Sequence, residues 1–125
     1  MSSAPLQKAI YTALDTALSC AVYDYVPTGA SYPYVVIDSQ LATDRQNLGS
    51  QRERIFVYLS VWSDYKGSKE VLDLMRTIRT TLQNTRPTLT SGTVVNMVVS
   101  RETTDRDVDG QTFMGRVTLD VTVST

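Results

Sequence analysis

The sequence predicts an α+β fold: a single domain whose mainly antiparallel β-sheet of about four strands is packed by two α-helices, in the order α-β-β-α-β-β. A chain of 125 residues fits one domain, residues 1–125. Two segments repeat apolar residues at spacings of three and four, which is typical of helices. Other segments alternate apolar with polar residues or are rich in β-branched and aromatic residues, which is typical of strands.

The first half of the chain predicts one helix and the first strands. Residues 5–19 form a helix with one apolar face, made of Leu6, Ile10, Ala13, Leu14, Ala17 and Leu18. Residues 22–26 predict a short strand and residues 33–38 a longer one. The polar segment 40–53, which contains Gly49, predicts a long hairpin loop whose flanks can extend as strand.

Residues 54–63 predict a strand with apolar side chains on both faces. One face carries Ile55, Val57, Leu59 and Val61, and the other carries Phe56, Tyr58, Ser60 and Trp62. Both faces are therefore expected to be covered, one by helices and the other by a cover that could be a partner subunit.

The second half predicts a helix followed by two long strands. The helix runs from a cap at Gly67 or Ser68 to about Asn84, with a buried stripe of Val71, Leu72, Met75, Ile78 and Leu82. Residues 93–101 and 113–125 predict strands, the last with Val117, Leu119, Val121 and Val123 pointing inward. Residues 102–112 predict a loop around the turn pair Asp109-Gly110.

The composition argues against most enzyme chemistry. The chain has one cysteine, no histidine and a net charge of −1. Without histidine there is no base for a Ser-His-Asp or Cys-His system, and a zinc site lacks ligands. We therefore expect no catalytic residue, metal or cofactor and no enzyme activity. The N-terminal "MSSAPLQKAI" has no basic start followed by an apolar run, so no secretory leader is expected. No apolar stretch approaches the ~20 residues of a membrane-spanning helix, so no membrane span is expected. Cys20 is expected to be a small apolar residue at the end of the first helix.

Two sequence features leave other functions open. "DRDVDG", residues 105–110, matches the first half of an EF-hand loop, but Arg116 occupies the position of the bidentate glutamate, which favours a charged hairpin turn. A metal-dependent enzyme using Asp105, Asp107 and Asp109 remains an alternative. The tyrosine-rich first half could stack single-stranded bases, yet the near-neutral charge favours a core and subunit-interface role for these rings.

Three segments together resemble a known family. They are "VPTGASYPYVV" (Val26–Val36), "VWSDYKGSKEVLDLMRTIRTTL" (Val61–Leu82) and "DVDGQTFMGRVTLDVTV" (Asp107–Val123). In this order and spacing they are similar to the tail-completion proteins of long-tailed bacteriophages and gene transfer agents. This group includes the tail terminators, also called tail-to-head joining proteins.

The resemblance implies a structural role in the virion. Such proteins form a ring, usually hexameric, on the head-proximal end of the tail tube, where the ring stops tube growth and docks onto the capsid connector. The implied partners are further copies of the chain, the major tail tube protein and a head-completion or connector protein. No membrane or specific nucleic acid is implied, although DNA could pass through the lumen, and assembly would occur in the host bacterial cytoplasm. Another neck component, such as a head-closure (stopper) protein, is the alternative.

A ring requires a head-to-tail interface that closes. We expect strand edges and the aromatic face of Phe56, Tyr58 and Trp62 to supply part of it. The polar loop between Leu41 and Arg52 is the candidate contact to the tube or connector, or else is only a mobile surface loop. Its candidate contact residues are Thr43, Asp44, Arg45, Gln46, Asn47 and Arg52.

Overall fold

The protein is described by a computed structural model that covers residues 3–18, 20–24, 26–47, 50–64, 68–83, 85–87, 89, 93–106 and 112–124. In chain order its elements are α1 (Ser3–Ala17), β1 (Ala21–Tyr23), β2 (Tyr34–Asn47), β3 (Ser50–Ser63), α2 (Lys69–Leu82), β4 (Thr93–Arg106) and β5 (Phe113–Ser124).

The strands form one sheet in the order β1-β2-β3-β5-β4. All neighbours are antiparallel except β1, which pairs in parallel with Tyr34–Val36 of β2. The predicted α+β class is confirmed, but the described sheet has five strands instead of about four. The additional strand is the short segment predicted at 22–26, which the structure places at 21–23. Three residues carry too little periodicity to fix the bounds of a strand, which here follow from its parallel pairing with β2.

The core lies between the two helices and one face of the sheet. The inward alternation of β3 and β5 is confirmed, since Ile55, Val57, Leu59 and Val61 and their counterparts Val117, Leu119, Val121 and Val123 are all at most 1% exposed. Each helix buries a single stripe in this core. The stripe of α1 and its C-terminal end, which lie against β1, β2 and α2, is Leu6, Ile10, Leu14 and Leu18, and that of α2, which lies against β3, β4 and β5, is Val71, Met75, Ile78 and Leu82.

Two residues predicted for these stripes are exposed instead. Ala17 is on the solvent side of α1, and Leu72 of α2 is 49% exposed. Successive helical residues are about 100° apart, so Leu72 is turned away from the line through Val71 and Met75 that faces the sheet. The predicted solvated face of α2, which carries Lys69, Asp73, Arg76 and Arg79, is confirmed.

Specific contacts hold α2 on the sheet at both of its ends. The buried Ser63 hydroxyl, at the end of β3, donates to Glu70 Oε1 in the first helical turn at 2.5 Å. At the other end, Gln83 Oε1 accepts the backbone N–H of Val99 in β4 at 2.7 Å. Between these points the helix side chains lie directly against the backbone of β5 at Gly115, where an added Cβ would be 2.4 Å from Met75 Sδ.

The segment predicted as a long polar loop is instead a two-stranded ribbon. β2 continues to Asn47 and β3 begins at Ser50, with pairs such as Asp44 with Glu53. Only the connecting residues 48–49 lie outside the described residues. The loop prediction was wrong because the polar side chains give no apolar alternation, whereas backbone hydrogen bonds extend an antiparallel ladder with any side chain.

The predicted loop 102–112 is also shorter than expected. β4 continues to Arg106, and its residues from Glu102 to Arg106 pair with Val117 to Phe113 of β5. The predicted turn pair Asp109-Gly110, with the rest of residues 107–111, lies outside the described residues.

Candidate interaction surface

The sheet face opposite the helices, here called the open face, is the candidate site. Because strand side chains alternate, the residues between the buried positions of β3 and β5 point to it. In the described part of the chain both helices bury their stripes against the other face. On β3 and β5 the open face consists of Arg52, Arg54, Phe56, Tyr58, Ser60, Trp62, Met114, Arg116, Thr118, Asp120, Thr122 and Ser124.

The three predicted interface aromatics lie on this face in one row along β3. Phe56, Tyr58 and Trp62 are each half-buried, so each retains some surface for a partner. The buried Ser60 interrupts the row, and its Oγ accepts the Trp62 indole N–H at 3.1 Å. The polar tip of the tryptophan is therefore satisfied within the subunit, and what it offers a partner is the apolar ring.

An ion pair fixes one end of the open face. Arg54 donates to Asp120 through two nitrogens, with Nε–Oδ1 at 3.0 Å and Nη2–Oδ2 at 2.5 Å. The guanidinium carbon lies 4.8 Å from the centre of the Phe56 ring, a cation–π contact. The hydrogen bond with Asp120 raises the pKa of Arg54. Exposed ion pairs add little to stability, so the main effect of this one is to hold the cation over the aromatic ring.

A cavity of ≈ 690 Å³ occupies the other end of the open face, towards Trp62. Opposite charges line it: Asp38 from β2, Arg101 and Asp105 from β4, and Arg116 from β5. Asp38 is the extra residue of a β-bulge between Ile37 and Ser39, and bulges of this kind redirect a side chain.

The pKa of the Asp38 carboxyl is shifted by its surroundings in this cavity, although the residue as a whole is exposed. Partial burial of the carboxyl raises its pKa, while a hydrogen bond with Ser60 and the charge of Arg116 oppose the rise. Burial has the larger effect, so ionised Asp38 is less favourable in the folded protein than in water.

The candidate tube-contact residues are not brought together with the aromatic row. Thr43–Asn47 lie in β2, and the exposed Arg52 lies in β3 opposite Arg45, towards the end of the polar ribbon. Trp62 lies at the opposite end of β3, beside Tyr34. The ribbon end and the aromatic row thus lie towards opposite ends of β3, and Arg52 is the ribbon-end residue that also lies on the open face.

Sequence reasoning missed the charged cavity on the open face. The alternation of β5 did indicate that Arg116 points outward. Arg101 was placed at the end of a strand and Asp105 in a loop, so neither could be assigned to a sheet face. Asp38 was assigned to a strand end, and the bulge that turns it towards Ser60 leaves no signature in the local sequence.

Three tyrosines form a separate aromatic cluster near β1. The Tyr34 ring stacks on Tyr32 at 5.3 Å and meets Tyr23 edge-on at 5.8 Å. Tyr32 is 40% exposed, so these rings pack on each other at the surface and not in the core. Burial is the largest cause that raises the pKa of the Tyr34 hydroxyl, followed by the neighbouring tyrosines.

The described residues offer little for catalysis or metal binding. Among them no group of three or more cysteine, aspartate or glutamate side chains could hold a metal ion. Asp105 lies in β4, and Asp107 and Asp109 of the EF-hand-like motif lie outside the described residues. Cys20 is half-buried against the core, and burial raises the pKa of its thiol. No described helix is long and apolar enough to cross a membrane.

Comparison with known proteins identifies the family. The model of the family "Tail completion protein gp17" matches residues 8–124. The chain belongs to this family. It also matches a chain in the structure of the virion of a native gene transfer agent (GTA) particle, with a TM-score of 0.89 and 20% identity over 99% of this chain and 98% of that one. At that identity the likeness shows a shared fold. No curated protein matches.

The predicted resemblance to tail-completion proteins is thus confirmed. The chain is a structural protein of the virion tail, as its family membership shows.

Proposed function

We propose that this tail completion protein forms a closed ring, a hexamer, on the head-proximal end of the tail tube. There it ends tube growth and joins the tail to the capsid connector. The match of the tail completion family across residues 8–124 is the observation that carries the proposal. The partners would be further copies of the chain, the major tail tube protein and a head-completion or connector protein. DNA would pass through the lumen, and assembly would take place in the host bacterial cytoplasm.

A subunit at such a junction needs separate surfaces for its neighbours and for the structures above and below the ring. The open face, with Phe56, Tyr58 and Trp62, is proposed to contact a neighbouring subunit, since half-buried aromatic rings are typical of interface anchors. The ribbon end, comprising Thr43–Asn47 and Arg52, is proposed to contact the tube or the connector. A paired ribbon suits this role better than a loop would, because its backbone is already ordered.

Deletion of the gene tests the function directly. Negative-stain electron microscopy of the resulting particles should show tails of abnormal length, or finished tails beside unattached DNA-filled heads. A plasmid copy of the gene should restore joined particles. Normal, fully joined particles without the gene would overturn the proposal.

A shortened ribbon tests the tube or connector contact. Because Asp44 pairs with Glu53, residues 45–52 can be replaced by a two-residue Asn-Gly turn without changing the remaining register. The expected result is a melting temperature close to wild type together with loss of joined particles in the complementation assay. Normal joining by the shortened protein would refute this contact.

Alanine variants test the open face. Tyr58→Ala and Trp62→Ala should each weaken subunit association by about 2 kcal/mol or more if these rings anchor the interface. Tyr11→Ala is the matched control, because Tyr11 is a 40% exposed tyrosine on α1, away from this face. Joining should fall for the first two variants and remain normal for the control. Equal joining by all three would exclude the open face as the subunit interface.

A further inference from the structure

Each of the two outer edges of the sheet is uncovered along about half of its length. β1 pairs only with Tyr34–Val36, so no described strand pairs with the outer edge of β2 from Ile37 to Asn47. β4 is the strand at the other edge. Its first half lies beside the segment that follows α2, where Gln83 Oε1 accepts the N–H of Val99. β5 pairs with the inner edge of β4, and no described strand pairs with its outer edge at the second half, Arg101–Arg106. An unpaired strand edge is a template for another strand.

The uncovered parts of the edge strands, from Ser39 in β2 and from Arg101 in β4, pair with their inner neighbours in a regular register. A shift in register occurs just before each of these parts begins. The register of β2 shifts between Ile37 and Ser39, and that of β4 shifts between Val94 and Asn96 and again between Val99 and Arg101. Beyond these points both strands pair with their inner neighbours without a shift to their ends. Bulges are a common way to protect an edge, so each edge is protected at one end and left suitable for pairing at the other.

The strand directions match two copies placed side by side. β2, β3, β5 and β4 are successively antiparallel, so β4 runs opposite to β2. A second copy in the same orientation would therefore present its β4 antiparallel to the β2 edge of the first. This contact joins two different surfaces, which is the head-to-tail interface that a ring requires. Contacts between two β2 edges or two β4 edges would relate the copies by a two-fold axis and close a dimer instead.

The open halves also determine an offset between the copies. Ile37 lies in the same row of the sheet as Leu59, Val117 and Glu102. From about that row the open half of β2 extends towards one end of the sheet and the open half of β4 towards the other. Full pairing therefore displaces the neighbour along the strands by about four residues, or roughly 13 Å. In this register Thr103 of one copy lies opposite Leu41 of the next.

We infer that Arg101–Arg106 of one copy adds as an antiparallel strand to the β2 edge of a second copy, from about Asp38 onward, so that the sheet continues from subunit to subunit. The inference rests on the proposed ring and adds a backbone contact between strand edges to the subunit contact proposed for the open face. Charged residues on β4, such as Arg101 and Asp105, discourage pairing with unrelated strands and so favour a specific partner.

Paired substitutions at Thr103 and Thr104 test the edge. Successive residues of an edge strand direct their N–H groups alternately to β5 and outward, so one of these two threonines has an outward N–H. At that position, replacement by proline should leave the melting temperature close to that of the corresponding alanine variant. It should also lower the fraction of joined particles roughly tenfold, since loss of a contact worth 1.4 kcal/mol is a tenfold effect. A folded proline variant at each position that joins as well as its alanine counterpart would overturn the inference.

Cysteine pairs decide the case even if proline disturbs folding. In a Cys20→Ser background, Leu41→Cys with Thr103→Cys, oxidised in assembled tails, should give a ladder of species beyond the dimer on a non-reducing gel. Disulfides need Cα atoms about 4.4–6.8 Å apart, which opposed strand residues satisfy. Leu41→Cys with Arg76→Cys, an exposed position on α2, is the control and should give none. No cross-link, or only dimers, would overturn the edge contact.

The outcomes separate this inference from the proposed function. If gene deletion leaves joining normal, the ring function itself fails. If deletion abolishes joining while the proline variants join normally and the cysteine pairs do not cross-link, the ring function stands and the edge contact is wrong.

Discussion

Replacement of Gly115 by alanine tests the closest approach between α2 and the sheet. A Cβ at this position of β5 would lie 2.4 Å from Met75 Sδ, 3.2 Å from Met75 Cγ and 2.9 Å from Val71 Cγ1. Ordinary contacts between such atoms are about 3.5–4.0 Å, so both side chains would have to move. Met75 is 3% exposed and Val71 is fully buried, which leaves little room for that movement.

The cost can be worked from this geometry. Inserting a methyl group into a well-packed core costs about 1–3 kcal/mol, and the flexible methionine places the effect near 2 kcal/mol. For 125 residues the entropy of unfolding is about 0.26 kcal/mol/K, at roughly 2.1 cal/mol/K per residue. Gly115→Ala should therefore lower the melting temperature by about 8 °C.

Thermal and urea unfolding of single and double variants provide the assay. Met75→Ala alone should cost about 2–5 kcal/mol because it leaves a cavity. In the Gly115→Ala/Met75→Ala protein the added methyl occupies part of that space. The two costs should then fall short of additivity by about 0.5–3 kcal/mol. An unchanged melting temperature for Gly115→Ala, or strictly additive effects in the double variant, would refute the close approach of α2 to β5.

Three further predictions concern single side chains. Ser63→Ala should destabilise the fold by about 1.5–3 kcal/mol in urea unfolding, because it removes a charge-assisted hydrogen bond to Glu70, whereas Ser100→Ala, at an exposed hydroxyl, should change little. Asp38→Asn should raise the melting temperature slightly at pH 7, because burial raises the pKa of Asp38 in the folded protein and makes its ionised form unfavourable there. Below pH 3.8, the ordinary aspartate pKa, the carboxyl is protonated in both the folded and the unfolded protein, so the gain should vanish. An equal gain at pH 7 and below pH 3.8 would contradict this. Cys20 should react with a thiol reagent more slowly in the native than in the unfolded protein at pH 8, since burial raises its pKa; equal rates would show that the thiol is fully accessible.

The parts of the fold that follow from the local pattern were predicted correctly. The stripes of α1 and α2, and the buried faces of β3 and β5, each depend on apolar residues that repeat with the period of the element. Leu72 shows the limit of this reasoning. The pattern marks it as apolar and near the stripe, but only the line along which α2 meets the sheet decides that it is exposed.

The candidate site was predicted only in part. The outward direction of Phe56, Tyr58, Trp62 and Arg116 follows from alternation along a single strand. The cavity on the open face also needs Arg101 and other residues of β4, and their position depends on a strand that continues through a polar segment. The side chains of that segment show no strand periodicity, because the continuation of the strand depends on hydrogen bonds between backbone groups.

By itself, the sequence determined the α+β class, the faces of the long elements, the lack of histidine chemistry and the resemblance to tail-completion proteins. The tertiary structure alone decided the lengths of β2 and β4, the parallel addition of β1 and the placement of β5 between β3 and β4. It also decided which edges of the sheet remain open. The physical reason is that a side-chain period is a local property, whereas strand pairing and register arise from backbone hydrogen bonds between segments far apart in the chain.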